Sequence, residues 1–247
     1  ADAPADPAAL ARRLCARHTG IGADGLILYS VRPGGATMRL WNADGSPSEL
    51  SGNGLRCLAA LIAREQGLDP ADPARATLRV ETTAGVKTLD LLAVSGARYT
   101  FRAAMGQPTG LRQSTIDVGG EAVPVVLLGV GNPQCIVLGP LPDDARFRAI
   151  GGALAVHPAF PEGTNVEFVQ VETRDRVRIL IWERGVGPTT SSGTGSSASA
   201  VAAAAFGGAA RVVDVVAPGG TQRVDWREDG IFLTGDAEIV LTGVYHG

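Results

Sequence analysis

The chain repeats itself at an offset of 141 residues. Gly22 matches Gly163, Trp41 matches Trp182, Pro47 matches Pro188, Ala59 matches Ala200 and Ala63 matches Ala204. In the same register Ser51-Gly52-x-Gly54 recurs as Ser192-Gly193-x-Gly195. Only three Trp occur in the chain, so a Trp pair in register with a duplicated glycine motif marks an internal duplication. A duplication of this size restricts the fold to two similar halves, each with its own core.

The halves read alike. A glycine turn leads into an apolar strand, at 25–29 and at 166–171, and an alternating strand follows at 37–41 and at 177–182. After a Gly/Pro/Ser loop, Ser-Gly-x-Gly opens an apolar helix over 55–65 and over 196–206. Further strands follow at 78–81, before a turn at Ala84 and Gly85, and at 212–216, before Gly219 and Gly220. An extended stretch near 105–115, with Pro108 and Gly110, joins the halves. The expected fold class is α+β in two pseudo-symmetric domains. The first spans 1–107 and the second 108–239, and a last strand near 240–247 returns to the first.

Composition narrows the function. The 33 glycines are about twice the roughly 7% of average usage, without a collagen period. A net charge of -3 and no basic cluster with interleaved aromatics argue against nucleic acid. The longest apolar stretch, 198–210, is broken by Gly207 and Gly208 and falls short of the about 20 residues a bilayer requires, so no membrane partner is expected. Cys15, Cys57 and Cys135 are odd in number and widely spaced, which reads as reduced, buried thiols in a cytoplasmic protein. His18, His157 and His246 lack metal-ligand spacing, so no metal is expected.

The duplicated loop carries the chemistry. The first turn of a helix presents unpaired N–H groups and the positive end of the dipole, and glycine lets that backbone approach an anion. Gly52, Asn53, Gly193 and Thr194 therefore read as two anion cradles for a carboxylate or a phosphate. No Gly-Lys-Ser/Thr follows, and Cys57 and Ala198 break any GxGxxG, which argues against a P-loop and a dinucleotide site. No G-x-S-x-G elbow surrounds either serine. A serine before GxG reads first as a helix cap. Duplicated, Ser51 and Ser192 also suit a two-base proton transfer at a stereocentre, with the helix ends stabilising charge on the α-carboxylate.

At this level of detail the sequence resembles the diaminopimelate epimerases, cofactor-independent amino-acid racemases. The matching stretches include Thr19-Gly20-Ile21-Gly22-Ala23-Asp24-Gly25, Asn42-Ala43-Asp44-Gly45-Ser46, Ser51-Gly52-Asn53-Gly54, Gly131-Asn132-Pro133, Glu162-Gly163-Thr164-Asn165-Val166, Glu183-Arg184-Gly185, Ser192-Gly193-Thr194-Gly195 and Thr234-Gly235-Asp236-Ala237. They run in family order from about residue 8 to 240. The resemblance implies a mixed sheet wrapped around a central helix in each domain and an active site in the cleft between the domains. It implies interconversion of LL- and meso-diaminopimelate without metal or cofactor, in lysine and peptidoglycan-precursor synthesis. Asn42, Asn132, Asn165 and Arg184 would grip the distal end of a small amino-acid substrate. Gly52, Asn53, Gly193 and Thr194 would hold the reacting carboxylate, and Glu183 would assist Ser51 and Ser192 at the two base positions. Taken singly, each Asn is a turn residue and Arg184 a surface charge. Homodimerisation is left open.

Three departures separate this chain from the family. Serines stand where the family has its two catalytic cysteines. Gln134 stands where a histidine follows Gly-Asn-Pro, and glutamine cannot share a proton near neutrality. The family's opening Gly-Asn-Asp-Phe strand, with its active-site Asn, is expected upstream of Ala1. A helix N-terminus lowers a thiol from about 8.5 into a useful range, but a hydroxyl titrates far too high for the same effect. General acid–base groups contribute about 10²–10⁴-fold each, so impaired epimerisation is expected. The rivals are a racemase or hydroxyamino-acid dehydratase for another amino acid, such as a proline derivative, and a silent amino-acid-binding protein.

Overall fold

The computed structural model describes residues 4–48, 51–72, 75–83 and 85–245. Ala84 of the expected turn and His246 lie outside these residues. The chain separates into unit 1, Ala1–Ala103 with Asp236–Gly247, and unit 2, Ala104–Gly235.

Unit 1 is built from α1 (Pro7–Cys15), β1 (Gly25–Arg32), β2 (Gly35–Asn42), β3 (Pro47–Ser48), α2 (Gly52–Gln66), β4 (Thr77–Thr82), β5 (Gly85–Ser95) and most of β6 (Arg98–Gly106). The order recurs in unit 2 as α3 (Asp144–Ala155), β10 (Asn165–Thr173), β11 (Arg176–Glu183), β12 (Gly187–Thr189), α4 (Gly193–Phe206), β13 (Val212–Ala217), β14 (Gly220–Arg227) and β15 (Gly230–Glu238). Ahead of it run β7 (Thr109–Val118), β8 (Glu121–Gly129) and β9 (Pro133–Leu138).

The pairing repeats with the order. In unit 1, β2 is antiparallel to β1 and parallel to β4, and β4 and β5 continue antiparallel. In unit 2, β11 is antiparallel to β10 and parallel to β13, and β13–β14–β15 continue antiparallel. Each parallel step spans a helix, α2 or α4, as a parallel crossover requires. Gly22 (φ 81°) and Gly163 (φ 72°), both in left-handed turns before the first strand, keep the offset of 141. So do Gly67 (φ 58°) and Gly208 (φ 80°), just past the helices. The offset is lost afterwards because the connection from α2 to β4 is longer than that from α4 to β13.

Helix α4 shows why the sheet wraps. Ala198, Ala200, Val201, Ala202 and Ala203 are all buried, so it is buried on every side. Val177, Ile179 and Ile181 of β11, Val213 and Val215 of β13, and Ile231 and Leu233 of β15 close over it. Small side chains let the strands approach. The outer face of the sheet is covered by α3, where Phe147 packs edge-on against Phe168 and Trp182. In unit 1, Leu55, Leu58, Ala59, Ile62 and Ala63 of α2 are buried, as are Met38, Leu78, Val80, Leu89 and Phe101 of the strands.

Two expectations are corrected. Residues 239–245 form no strand. The return to unit 1 falls at the end of β15, where Arg98 pairs with Glu238 (2.9 Å), Thr100 donates to Asp236 (2.7 Å) and the Ile239 amide donates to Ala97 (3.0 Å). Cys57 is exposed, whereas Cys15 and Cys135 are buried. Positions 57, 64 and 65 follow the helical period on the outer side of α2. Nearby protein still raises the Cys57 thiol pKa by desolvation, while burial pushes Cys135 up to about 12.

The fit around α4 yields a prediction. Ala202 is 0% exposed, so Ala202→Leu must push strands outward at a cost of about 1–3 kcal/mol. The urea midpoint should fall, while Cys57→Leu on the exposed side of α2 should hardly move it.

Candidate active site

The site residues fall into two sets, one per unit, each built on a helix N-terminus. Helices α2 and α4 begin at Gly52 and Gly193, ahead of the 55 and 196 that the apolar runs indicate, because serine caps set the start. Ser51 (φ −129°, ψ 121°) and Ser192 (φ −144°, ψ 125°) are extended, and each Oγ accepts the N–H of the third helical residue, Gly54 or Gly195, at 3.1 Å. Helix geometry gives the first two amides no acceptor within the helix. Those amides belong to Gly52 and Asn53, and to Gly193 and Thr194.

In unit 1, Asn42 ends β2. It is exposed, and its amide donates to Ser46 Oγ (2.9 Å) within a turn that Asp44 closes. Asn53 Oδ1 accepts from Arg56 Nη2 at 2.6 Å. Arg56 is 5% exposed, its Nε donates to the Asp236 carbonyl at 3.4 Å and its Nη1 has no partner. Desolvation lowers its pKa, opposed by Cys57 and Asp236. A buried guanidinium thus lies beside the first turn of α2.

Unit 2 gathers the larger set. Glu183 ends β11. Burial raises its pKa, and the nearby Ser192 hydroxyl partly offsets the rise. Asn165 opens β10 and lies opposite Gln134 in the parallel β9–β10 ladder. Its Oδ1 accepts the Arg184 backbone N–H at 2.9 Å. The Arg184 side chain is exposed and donates to the Glu162 carbonyl at 2.9 Å. Asn132 sits in the β8–β9 turn, 2.6 Å from the Gln134 amide.

Glu167, two residues along β10, is absent from the sequence-derived set. It is 0% exposed, and its pKa is raised well above the ordinary carboxyl range by burial, then by the charge of Glu183. The Gln134 amide faces it, and with nitrogen toward Glu167 it donates to both carboxyl oxygens at 3.1 and 3.0 Å. The opposite orientation would set the Gln134 nitrogen against the Asn165 amide nitrogen. A Cβ on Gly195 would come within 2.5 Å of Glu167 Oε1, so the carboxyl also lies against the first turn of α4. The available signal was a single acid in the apolar run Asn165-Val166-Glu167-Phe168-Val169, a strand buried on both faces.

Among the described residues no helix is long and apolar enough to cross a membrane. A family model described as diaminopimelate epimerase matches residues 2–110 and 126–240. A diaminopimelate epimerase of Desulforudis audaxviator is 44% identical over 259 residues, covering 97% of this chain and 90% of that protein. One from Desulfitobacterium hafniense is 39% identical over 253 residues, covering 95% and 87%. Among solved structures, a probable proline racemase from Agrobacterium radiobacter K84 superposes with a TM-score of 0.68 at 18% identity, covering 95% of this chain and 80% of that one. A hydroxyproline epimerase from Agrobacterium vitis superposes at 0.64 and 15% identity, covering 92% and 76%. These structures share the fold.

Two predictions follow from the buried acid. A carboxyl with a raised folded pKa contributes fully to stability below its unfolded value, about 4.3, and loses that contribution as pH rises through the folded value. Glu167→Gln should therefore be more stable than the parent at pH 8 and lose the advantage toward pH 4, as read from urea midpoints. Gly195→Ala should cost about 1–3 kcal/mol, because its Cβ meets an enclosed carboxyl. Gly54→Ala should cost less, since its Cβ meets the end of the Ile27 side chain at 3.2 Å and Ser51 at an ordinary 3.4 Å.

Proposed function

The chain belongs to the diaminopimelate epimerase family, and from that premise we propose that it moves the α-proton of diaminopimelate, interconverting the LL and meso forms. What supports this most is the duplicated helix start, a capping serine followed by two amides without helical acceptors, with the Glu183 carboxyl near enough to Ser192 to feel its hydroxyl. The amides of Gly52, Asn53, Gly193 and Thr194 hold the α-carboxylate, where the positive helix ends stabilise the charge that develops as the C–H bond breaks. Asn42, Asn132, Asn165 and Arg184 bind the distal amino-acid end.

The two serines serve opposite faces of the α-carbon and are unequal. Ser192 Oγ takes the α-proton as its own proton passes to the Glu183 carboxylate, so no alkoxide accumulates. Ser51 supplies a proton to the other face from a hydroxyl that accepts the Gly54 amide; a hydroxyl of ordinary acidity gives up its proton slowly, and water then restores it. The reaction belongs to lysine and peptidoglycan-precursor synthesis in the cytoplasm.

The test is incubation of LL- and meso-diaminopimelate in D2O with the α-proton followed by NMR. One isomer should exchange its α-proton faster than it inverts, by way of Ser192 and Glu183. Ser51→Cys together with Ser192→Cys should raise inversion by about 10²–10⁴-fold or more. No exchange from either isomer by the parent or the double variant would sink the reading. A rise in melting temperature with diaminopimelate but no exchange would mark a binding protein instead.

A further inference from the structure

Glu167 is a costly residue to place where it stands. Among the described residues Arg56 and Glu167 are the buried charged side chains, and Glu167 is fully enclosed. On β10 it shares the α4-facing side with Asn165 and Val169, where a valine or leucine would fill the space at less cost. A carboxyl kept there must do something an apolar side chain cannot.

Its contacts show what that is. The Gln134 nitrogen lies 3.1 and 3.0 Å from the two carboxyl oxygens and donates to the carboxyl, which turns the Gln134 oxygen toward Asn165 Nδ2 and Thr194 Oγ1, each at 3.2 Å; Asn132, 2.6 Å away, must then present its own amide nitrogen to that oxygen. Asn165 is then held at both ends, its nitrogen on Gln134 and its oxygen on the Arg184 amide at 2.9 Å. One acceptor thus sets the direction of a chain of amides, because each amide that is turned fixes the next.

We propose that Glu167 is a positioning residue: through Gln134 it fixes how Asn132, Asn165 and Thr194 present their donors and acceptors to the substrate. The identity of that substrate rests on the function proposed above; the orientation of the amides does not.

Two measurements separate these. In protein labelled with ¹⁵N-glutamine and ¹⁵N-asparagine, the Gln134 side-chain amide of the parent should exchange slowly with solvent. Glu167→Gln, which keeps an acceptor, should preserve that protection. Glu167→Leu should abolish it and shift the Asn165 amide signal. In calorimetry with meso-diaminopimelate, Glu167→Leu should weaken binding about tenfold and Gln134→Leu by a similar factor, the size of a buried hydrogen bond left unmade. The double variant should be no weaker than the weaker single one, and Glu167→Gln should bind as tightly as the parent within about threefold.

An unchanged Gln134 signal in Glu167→Leu, or additive losses in the double variant, overturns the proposal. If Glu167→Leu does not fold, Gln134→Leu must still shift the Asn165 amide signal, and an unmoved signal overturns the proposal equally. If the parent itself does not bind diaminopimelate, the ligand assignment fails and the amide spectra alone decide the positioning role.

Discussion

The constraint on which each unit depends is the burial of a helix inside a curved sheet. A helix enclosed along its length buries its side chains and satisfies its interior amides, but its first turn always has N–H groups to spare. In α4 the enclosure is tight enough that alanine, serine and glycine make up most of the helix. The spare amides of its first turn can then be satisfied only by a cap, by water or by a ligand. Ser192 takes the third amide and leaves the first two. In unit 1 the same division is made by Ser51. These unpaired amides are a direct consequence of how the core is built.

Beside each first turn the duplicated units have diverged in charge. Unit 1 buries Arg56, bonded to Asn53 on the helix start. Unit 2 buries Glu167 against Gly195. A cation strengthens the pull of a helix N-terminus on an anion, and an ionised carboxylate would oppose it. Burial settles the second case by favouring the neutral acid, in the direction in which the Glu167 pKa moves. Neutral, Glu167 spares the α4 dipole, and its carbonyl oxygen still accepts from Gln134.

Much of this was legible in the sequence, for a physical reason. A duplication preserves spacing, so Trp41 and Trp182 together with the paired SGxG motifs located the helices, the strands before them and the amides at their starts. The helix starts were misplaced because an apolar run marks where side chains are buried, whereas the cap serine decides where helical hydrogen bonding begins. Cys57 was misjudged because composition carries no helical phase. Glu167 was missed because a single acid in an apolar run reads equally well as the solvent-facing position of a half-buried strand, and only the fold shows both faces of β10 covered. Its role emerges only when β9, β10 and α4 bring Gln134, Asn165 and Thr194 to one point. The return of the C-terminal segment was anticipated but set too late, since the residues that secure it, Asp236 and Glu238, are indistinguishable in sequence from surface acids.

The serines limit what the helix ends can achieve alone. A dipole worth about 0.3–1 kcal/mol, up to about 2 in partly buried sites, shifts a titrating group by little more than one pK unit. That suffices for a thiol starting near 8.5 and is far too small for an aliphatic hydroxyl. A serine therefore becomes a usable base only if its proton has somewhere to go as it accepts another. In unit 2 burial raises the proton affinity of the Glu183 carboxyl toward the range where a base works best, and the Ser192 hydroxyl lies close enough to offset part of that rise. The group whose proton affinity shifts toward a base's range in unit 2 is thus the acid beside the cap and not the cap itself, while the first two amides of the helix stay without helical acceptors whatever residue caps it.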